Sequence, residues 1–247
     1  MAGPFDDITY DKFRARALDE TLTENLKIGH LDSYRNGKEG LIFTDIEAKL
    51  PALTARNKTV VDIGCGCGEL ARTMIRACAQ RGHRLVMVDS PEMLALLPQD
   101  APVEFRPHRF PHDAAFLDEF HGKADAVLMY GVLSVEFIQG DAWRMFDEAC
   151  ALLAGAGRAL IADLPNRTMR RRLFLSQNGI AFHRAFTGLD TPPPLPPDGI
   201  APGEIDDAVI LGLLMRARAA GLHGYVVPQA PGLPFFNRRE DLLIERP

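Results

Sequence analysis

The chain is poor in the residues that staple a small fold. Its four cysteines, Cys65, Cys67, Cys78 and Cys150, form no C-x-x-C pair, so neither a disulfide scaffold nor a zinc centre is expected. Loop or buried thiols in a reducing compartment, and no metal, are the expectation. No apolar run approaches the ~20 residues that span a bilayer, so no membrane partner is expected. The opening MAGPFDDITYDKFRAR puts charges where a secretory leader needs an apolar core, which points to a cytoplasmic location. Basic excess is missing too: 28 Lys+Arg against 33 Asp+Glu leave a formal charge of −5, which disfavours nucleic acid. There is no internal repeat. What remains, 47% hydrophobic and 25% charged over 247 residues, is ordinary globular composition, enough to bury a core unaided.

Apolar patterning then alternates between two periods. Thr59 to Ile63 reads as a short buried strand that ends in glycines. Glu69 to Arg81 follows with Leu70, Met74, Ile75 and Cys78 on one helical face, and Gly82 is a left-handed stop. Leu85 to Val88 is a second strand closed by Asp89, and Ser90-Pro91 opens a helix with a capping hydroxyl and a first-turn proline. Val103 to Phe105, Ala126 to Met129 and Ala159 to Ala162 continue the strands. Helices Asp113 to Phe120 and Asp141 to Leu153 lie between them, the latter with Trp143, Phe146, Cys150 and Leu153 near one face. Such alternation predicts a parallel sheet with right-handed crossovers. Residues from about 6 to 53 are mainly helical, with a break from His30 to Gly40. The rhythm fails from Leu164 to Gly203, a basic run followed by the proline-rich TPPPLPPDG, where a long functional loop is expected. A helix from Ile205 to Ala220, stopped by Gly221, precedes an antiparallel strand pair near Tyr225 to Val227 and Leu242 to Glu245. The reading is one α/β domain with a helical cap (1–56), a core (57–164), an insertion (165–204) and the end of the sheet (205–247).

The chemistry is concentrated in VVDIGCGCGELA, residues 60 to 71. Gly64, Gly66 and Gly68 lie between strand and helix, where glycine lets the backbone turn tightly and approach a ligand. The helix amino terminus behind them can meet a polar or anionic group. Asp89 ends the next strand, where a carboxylate can accept both hydroxyls of a ribose. A dinucleotide site favours G-x-G-x-x-G. Here the pattern is G-x-G-x-G with Asp62 just before it, which suits a cation better than a pyrophosphate.

This arrangement resembles motif I and the ribose-binding acid of class I S-adenosylmethionine-dependent methyltransferases. The resemblance covers roughly Thr59 to Leu164 and the late strand pair. It implies a Rossmann-like, mostly parallel seven-stranded sheet with an antiparallel last strand, and S-adenosylmethionine as cofactor. The glycine loop would pass under the methionine part, Asp62 would orient the loop or the ammonium group, and Asp89 would hold the ribose. MYGVLSVEF after the fourth strand matches the motif IV region, so Tyr130 and Gly131 should border the methyl group. The implied cofactor set is Asp62, Gly64, Cys65, Gly66, Gly68, Asp89, Ser90, Phe110, Tyr130 and Gly131. One departure stands out: many members place an acid after the third strand to meet the adenine amino group, and here the loop reads RPHRFPHD. Phe110, backbone groups or Asp113 are the alternatives.

On the acceptor side, methyl transfer is an in-line displacement that positioning accelerates, and an oxygen acceptor benefits from a general base. Glu136, Asp163 and His183 are the candidate catalytic residues, with His108 and His112 as further bases. PNRTMRRRLF sets Arg167, Arg170 and Arg171 at helical spacing, so guanidinium groups on one face can bind phosphate or carboxylate. Tyr34 and Arg35, with Lys38, can meet the cofactor's carboxylate or the acceptor. The expected function is methylation of a small anionic metabolite, such as a nucleotide-linked sugar or a carboxylated or phosphorylated intermediate, on oxygen rather than nitrogen. An N-methyltransferase of an amino sugar and a silent cofactor-binding subunit are the alternatives. The expected partners are the acceptor and, optionally, a second copy in a homodimer.

Overall fold

A computed structural model describes residues 9–196, 199 and 203–247. The first eight residues of the amino-terminal cap, together with Pro197 and Asp198 of the proline-rich segment, lie outside the described residues.

The sheet is built from the segments whose apolar runs predict it. Its strands are β1 (Thr59–Ile63), β2 (Arg84–Asp89), β3 (Val103–Pro107), β4 (Ala124–Tyr130), β5 (Leu153–Pro165), β6 (His223–Pro228) and β7 (Arg239–Glu245). Their order is β3-β2-β1-β4-β5-β7-β6. β1 pairs in parallel with both β2 and β4, so the winding direction reverses beside β1, and a crevice opens at the strands' carboxyl ends there. β7 enters antiparallel between β5 and β6, as the family resemblance implies. Both sheet faces are covered, which is why β1 and β2 are continuous apolar runs. Val60, Val61, Val86 and Met87 have no exposed surface, and each such side chain contributes about 1.5–3 kcal/mol on burial.

Helices follow local signals closely where caps exist. α1 (Tyr10–Leu18), α2 (Glu24–Lys27), α3 (Asp32–Arg35) and α4 (Glu39–Lys49) form the amino-terminal cap, so a short helix fills the expected break. α5 (Glu69–Arg81) buries Ala71, Met74, Ile75, Ala77 and Cys78, and Gly82 ends it at φ +68°. Ser90 caps α6 (Pro91–Leu94) by accepting from the Met93 amide. Asp113 caps α7 (Ala114–Phe120) in the same way.

The chain departs from the periodicity in several places. α8 (Leu133–Gln139) occupies the motif IV region, and no side-chain cap announces it. α9 (Ala142–Ala151) ends before Leu153, which instead opens β5. Trp143 turns away from the buried face, packs near Phe137 and lies under Arg216. The insertion is mainly helical rather than a long loop: α10 (Arg167–Leu175) and α11 (Gln177–Thr187) fold back on each other. Gly179 makes this possible, since a Cβ there would stand 1.9 Å from the Leu173 carbonyl oxygen. α12 (Asp207–Ala219) packs beside β6 and β7.

Candidate functional site

The crevice beside β1 holds a cavity formed by the glycine loop, the ends of β2, β3 and β4, and the amino-terminal cap. Asp62, Gly64, Cys65, Gly66, Gly68, Asp89, Phe110, Tyr130 and Gly131 all line it, as the motif implies. The loop turns through φ +68° at Gly64 and +64° at Gly66, angles that a β-branched residue opposes. The Gly64 amide donates to the Val88 carbonyl at 2.7 Å and the Gly66 amide to the Asp89 carboxylate at 2.8 Å. Asp89 also accepts from the Ser90 amide at 2.7 Å. Ser90 itself is not in the lining, because its hydroxyl is spent capping α6.

The acids of this cavity are prepared for a cation. Burial and the neighbouring Asp89 push the Asp62 carboxyl up to about 7. Burial pushes Asp89 up to about 6, although the two backbone donors favour its charge. An ammonium or sulfonium placed here would recover the charged form of Asp62. Cofactor binding should therefore release a proton near pH 6 and weaken about tenfold between about pH 8 and pH 6. Calorimetry in buffers of different ionisation enthalpy checks both. Without ligand, the linked stability from Asp62 is fully present below its ordinary 3.8 and lost as the pH rises through 7.

The remaining groups answer the other parts of S-adenosylmethionine. Arg35 is buried, lines the cavity and leaves its Nε without a hydrogen-bond partner. Its guanidinium lies 5.3 Å from the Tyr130 ring centroid, a position suited to the cofactor's carboxylate. At the β3 end, Phe110 and His108 line the cavity, and both ring nitrogens of His108 are buried without a hydrogen-bond partner, Nε2 lying 3.9 Å from the Asp113 carboxylate. An apolar face and a hydrogen-bonding edge of this kind suit an adenine. Asp113 does not line the cavity; it caps α7 and faces His108 from behind the lining.

The proposed bases are placed less simply. Glu136 lines the cavity but is buried and holds Arg109 through contacts of 2.8–3.0 Å. Asp163 is buried, lies outside the lining of this cavity and is ion-paired to Arg239, so it is a counter-ion rather than an available base. Burial alone would raise its pKa, but Arg239, His30 and Arg35 bring it below the usual range. His112 is exposed and outside this cavity. Lys38 does not line it either. The arginine run also divides. Arg167 pairs with Glu204 and donates to the Gly199 carbonyl, and Arg171 donates to the Pro196 carbonyl at 2.7 Å. These two hold the insertion together.

Tyr34, Arg170 and His183 line a second cavity, of about 440 Å³, between the amino-terminal cap, α10, α11 and the segment before β7. His30 lines both cavities. Burial, then Arg35, lowers its pKa to about 4, so the imidazole is neutral at physiological pH. Neither His30 nor the lining residues Tyr10, Phe13, Ile28 and Arg109 stood out in the sequence. Cap residues such as Tyr10, Phe13, Ile28 and His30 reach the site only through the path of the cap, which no local motif encodes.

Comparison with known proteins agrees with this geometry. Residues 60–157 match a family model described as a methyltransferase domain. No curated protein matches the chain. Among solved structures, the plantazolicin methyltransferase BamL in complex with S-adenosylhomocysteine is similar at 12% identity, covering 95% of this chain and 97% of that one, with TM-score 0.60. The N-methyltransferase NodS from Bradyrhizobium japonicum WM9, also with S-adenosylhomocysteine, has 12% identity, coverage of 98% and 100%, and TM-score 0.59. Magnesium protoporphyrin IX methyltransferase from Synechocystis PCC 6803, with bound S-adenosylmethionine, has 16% identity, coverage of 96% and 91%, and TM-score 0.54. At these identities the likeness concerns the fold, while the loop and its acids carry the chemistry. Residues 60–157 form a methyltransferase domain, and the motif and fold around it are those of an S-adenosylmethionine-dependent enzyme.

Proposed function

We propose that the enzyme methylates a small anionic metabolite, on oxygen in preference to nitrogen. The observation that carries this reading is the second cavity, which meets the cofactor cavity at His30 and is lined by arginines. Arg170 and Arg238 pair with no carboxylate among the described residues: Arg170 lies over the Phe174 ring, and Arg238 donates to Asn237 and lies over Phe182 and Phe235. Arg239 is the one neutralised, by Asp163. Two uncompensated guanidiniums beside an apolar wall favour an anionic ligand.

S-adenosylmethionine supplies an electrophilic methyl group on a cationic sulfur. Asp62, Asp89, Arg35 and the glycine loop would hold it, and the second cavity would hold the acceptor. His30 stands at the junction of the two cavities, where its neutral imidazole, lowered to a pKa of about 4 by burial and Arg35, would orient the acceptor's hydroxyl by a hydrogen bond rather than remove its proton. Glu136 and Asp163 are already committed to arginines. His183 lies in the second cavity and takes part in acceptor binding.

A metabolite panel assayed with labelled cofactor tests the reading. On an anionic acceptor, Arg238→Gln or Arg170→Gln should raise KM about tenfold or more, the scale of a lost charge-assisted hydrogen bond at about 1.5–3 kcal/mol. S-adenosylhomocysteine affinity should not change. Wild-type kinetics in both variants removes the anionic acceptor. Because NodS is an N-methyltransferase, an amine acceptor is the second reading, and product analysis decides between oxygen and nitrogen. The proposal includes a single domain divided as above, a cytoplasmic location and homodimer formation, which fractionation and sedimentation test. Among the described residues, no helix is long and apolar enough to cross a membrane.

A further inference from the structure

The wall of the second cavity is unusual for this chain. Aromatic residues make up 8% of the sequence, yet Tyr34, Phe174, Phe182, Phe186 and Phe235 all line this one space. Most of the rings are ordered in a run. Phe182 stacks with Phe186 at 6.0 Å and 14°, and Phe186 with Tyr34 at 4.8 Å and 22°. Tyr34 meets Phe235 at 5.1 Å and 33°, and Phe235 meets His30 at 6.3 Å and 28°. The series of stacked and tilted rings therefore runs from the outer helix α11 to the histidine that borders the cofactor cavity.

Two further features point to a ligand. Phe186 is 47% exposed although its neighbours in the run are more covered, an apolar surface that gains by being covered. His183 has its Nε2 buried without a hydrogen-bond partner. Among the described residues no carboxylate or carboxamide side chain of the kind that grips a polyol lines this cavity, and the Thr187 hydroxyl is already bonded to the His183 carbonyl at 2.8 Å.

We propose that the acceptor is a flat, conjugated hydroxy acid, an aryl or heteroaryl carboxylate whose rings lie along this aromatic wall. Its anion meets Arg238 and Arg170, and its hydroxyl lies at the His30 end. This rests on the methyltransferase reading and narrows its acceptor class, away from nucleotide-linked sugars and toward fused or conjugated ring acids. Because the faces of Phe186 and Tyr34 are covered by their neighbours in the run, a flat ligand laid along it presents its face to the ring edges. This edge-to-face arrangement is made at little entropic loss, because neither side has rotamers to freeze. The two guanidiniums then set the direction in which the plane points.

The test is calorimetric, on the whole protein saturated with S-adenosylhomocysteine. The probes are 1-hydroxy-2-naphthoate, its neutral amide, its ring-saturated carboxylate analogue, and UDP-glucose. The naphthoate should bind at least tenfold tighter than each of the others. Phe186→Leu, at a half-exposed position that the fold tolerates, should weaken the naphthoate several-fold and leave the saturated acid unchanged. Arg238→Gln should weaken the naphthoate about tenfold and leave the amide unchanged. Equal binding of the saturated acid, tighter binding of UDP-glucose, or no naphthoate binding overturns the proposal while S-adenosylhomocysteine still binds. Failure of S-adenosylhomocysteine to bind overturns the underlying methyltransferase reading, and the acceptor class falls with it.

Discussion

Gly66→Val should abolish cofactor binding and leave the protein folded. The backbone at Gly66 is left-handed, with φ +64°, which costs a side-chain-bearing residue about 1–2 kcal/mol and a β-branched one more. Even the first carbon of the new side chain would stand 2.8 Å from Ile28 Cγ2, so the loop and the cap above it must separate. The Gly66 amide would then leave Asp89, which it now reaches at 2.8 Å. Against a total stability of roughly 5–15 kcal/mol the loss is tolerable, and the valine touches no strand of the core. Titration with S-adenosylhomocysteine should give no heat, while circular dichroism shows a cooperative melt. Gly122→Val is the matched control: its φ is +68° with nothing within 4 Å of an added Cβ, and it lies outside the cavity. Normal cofactor binding by a folded Gly66→Val protein would reduce the loop to a simple turn.

Asp89→Ala should weaken the cofactor at least about tenfold. Each hydrogen bond to a charged acceptor contributes about 1.5–3 kcal/mol, and a ribose offers two. The change also strips the acceptor from the Gly66 and Ser90 amides, so the loop loses its anchor as well as the ligand its partner. Asp89→Asn retains the shape and one acceptor oxygen, and should fall between. A second readout separates charge from shape: Asp89 is the charge that, after burial, raises the Asp62 carboxyl. Removing it should move the pH midpoint of cofactor binding downward in both variants. Should NAD bind tightly and S-adenosylhomocysteine not at all, the assignment of the cofactor fails.

Much of this site was legible before any tertiary contact, because the signals are local. A glycine in a left-handed turn, an acid at the end of an apolar strand and a cap before a helix each act within a few residues of sequence. Hence β1 and α5 lie where their periods predict, and Asp62, Asp89 and the glycines converge. Helices without a side-chain cap signal are harder to read. α8 lacks such a cap, and α11, although capped by Ser176, carries Gly179 in its first turn, a residue that reads as a breaker. That glycine is there for the close approach of two helices, a demand visible only in three dimensions.

The sequence by itself determined the sheet, the cofactor loop and the kind of ligand the loop accepts, since backbone angle and local charge decide those. Only the tertiary structure decided which charges are free. Arg167, Arg170 and Arg171 are alike in sequence, but Arg167 and Arg171 are bonded within the insertion, while Arg170 lines the cavity that reaches His30. Asp163 and Glu136 look like bases until Arg239 and Arg109 are found beside them. His30 has no motif at all, and becomes the junction of two cavities through the way the cap is folded over the sheet. Pairing and burial depend on partners tens or hundreds of residues away, and it is those partners that turn a charged side chain into a counter-ion or leave it open to a ligand.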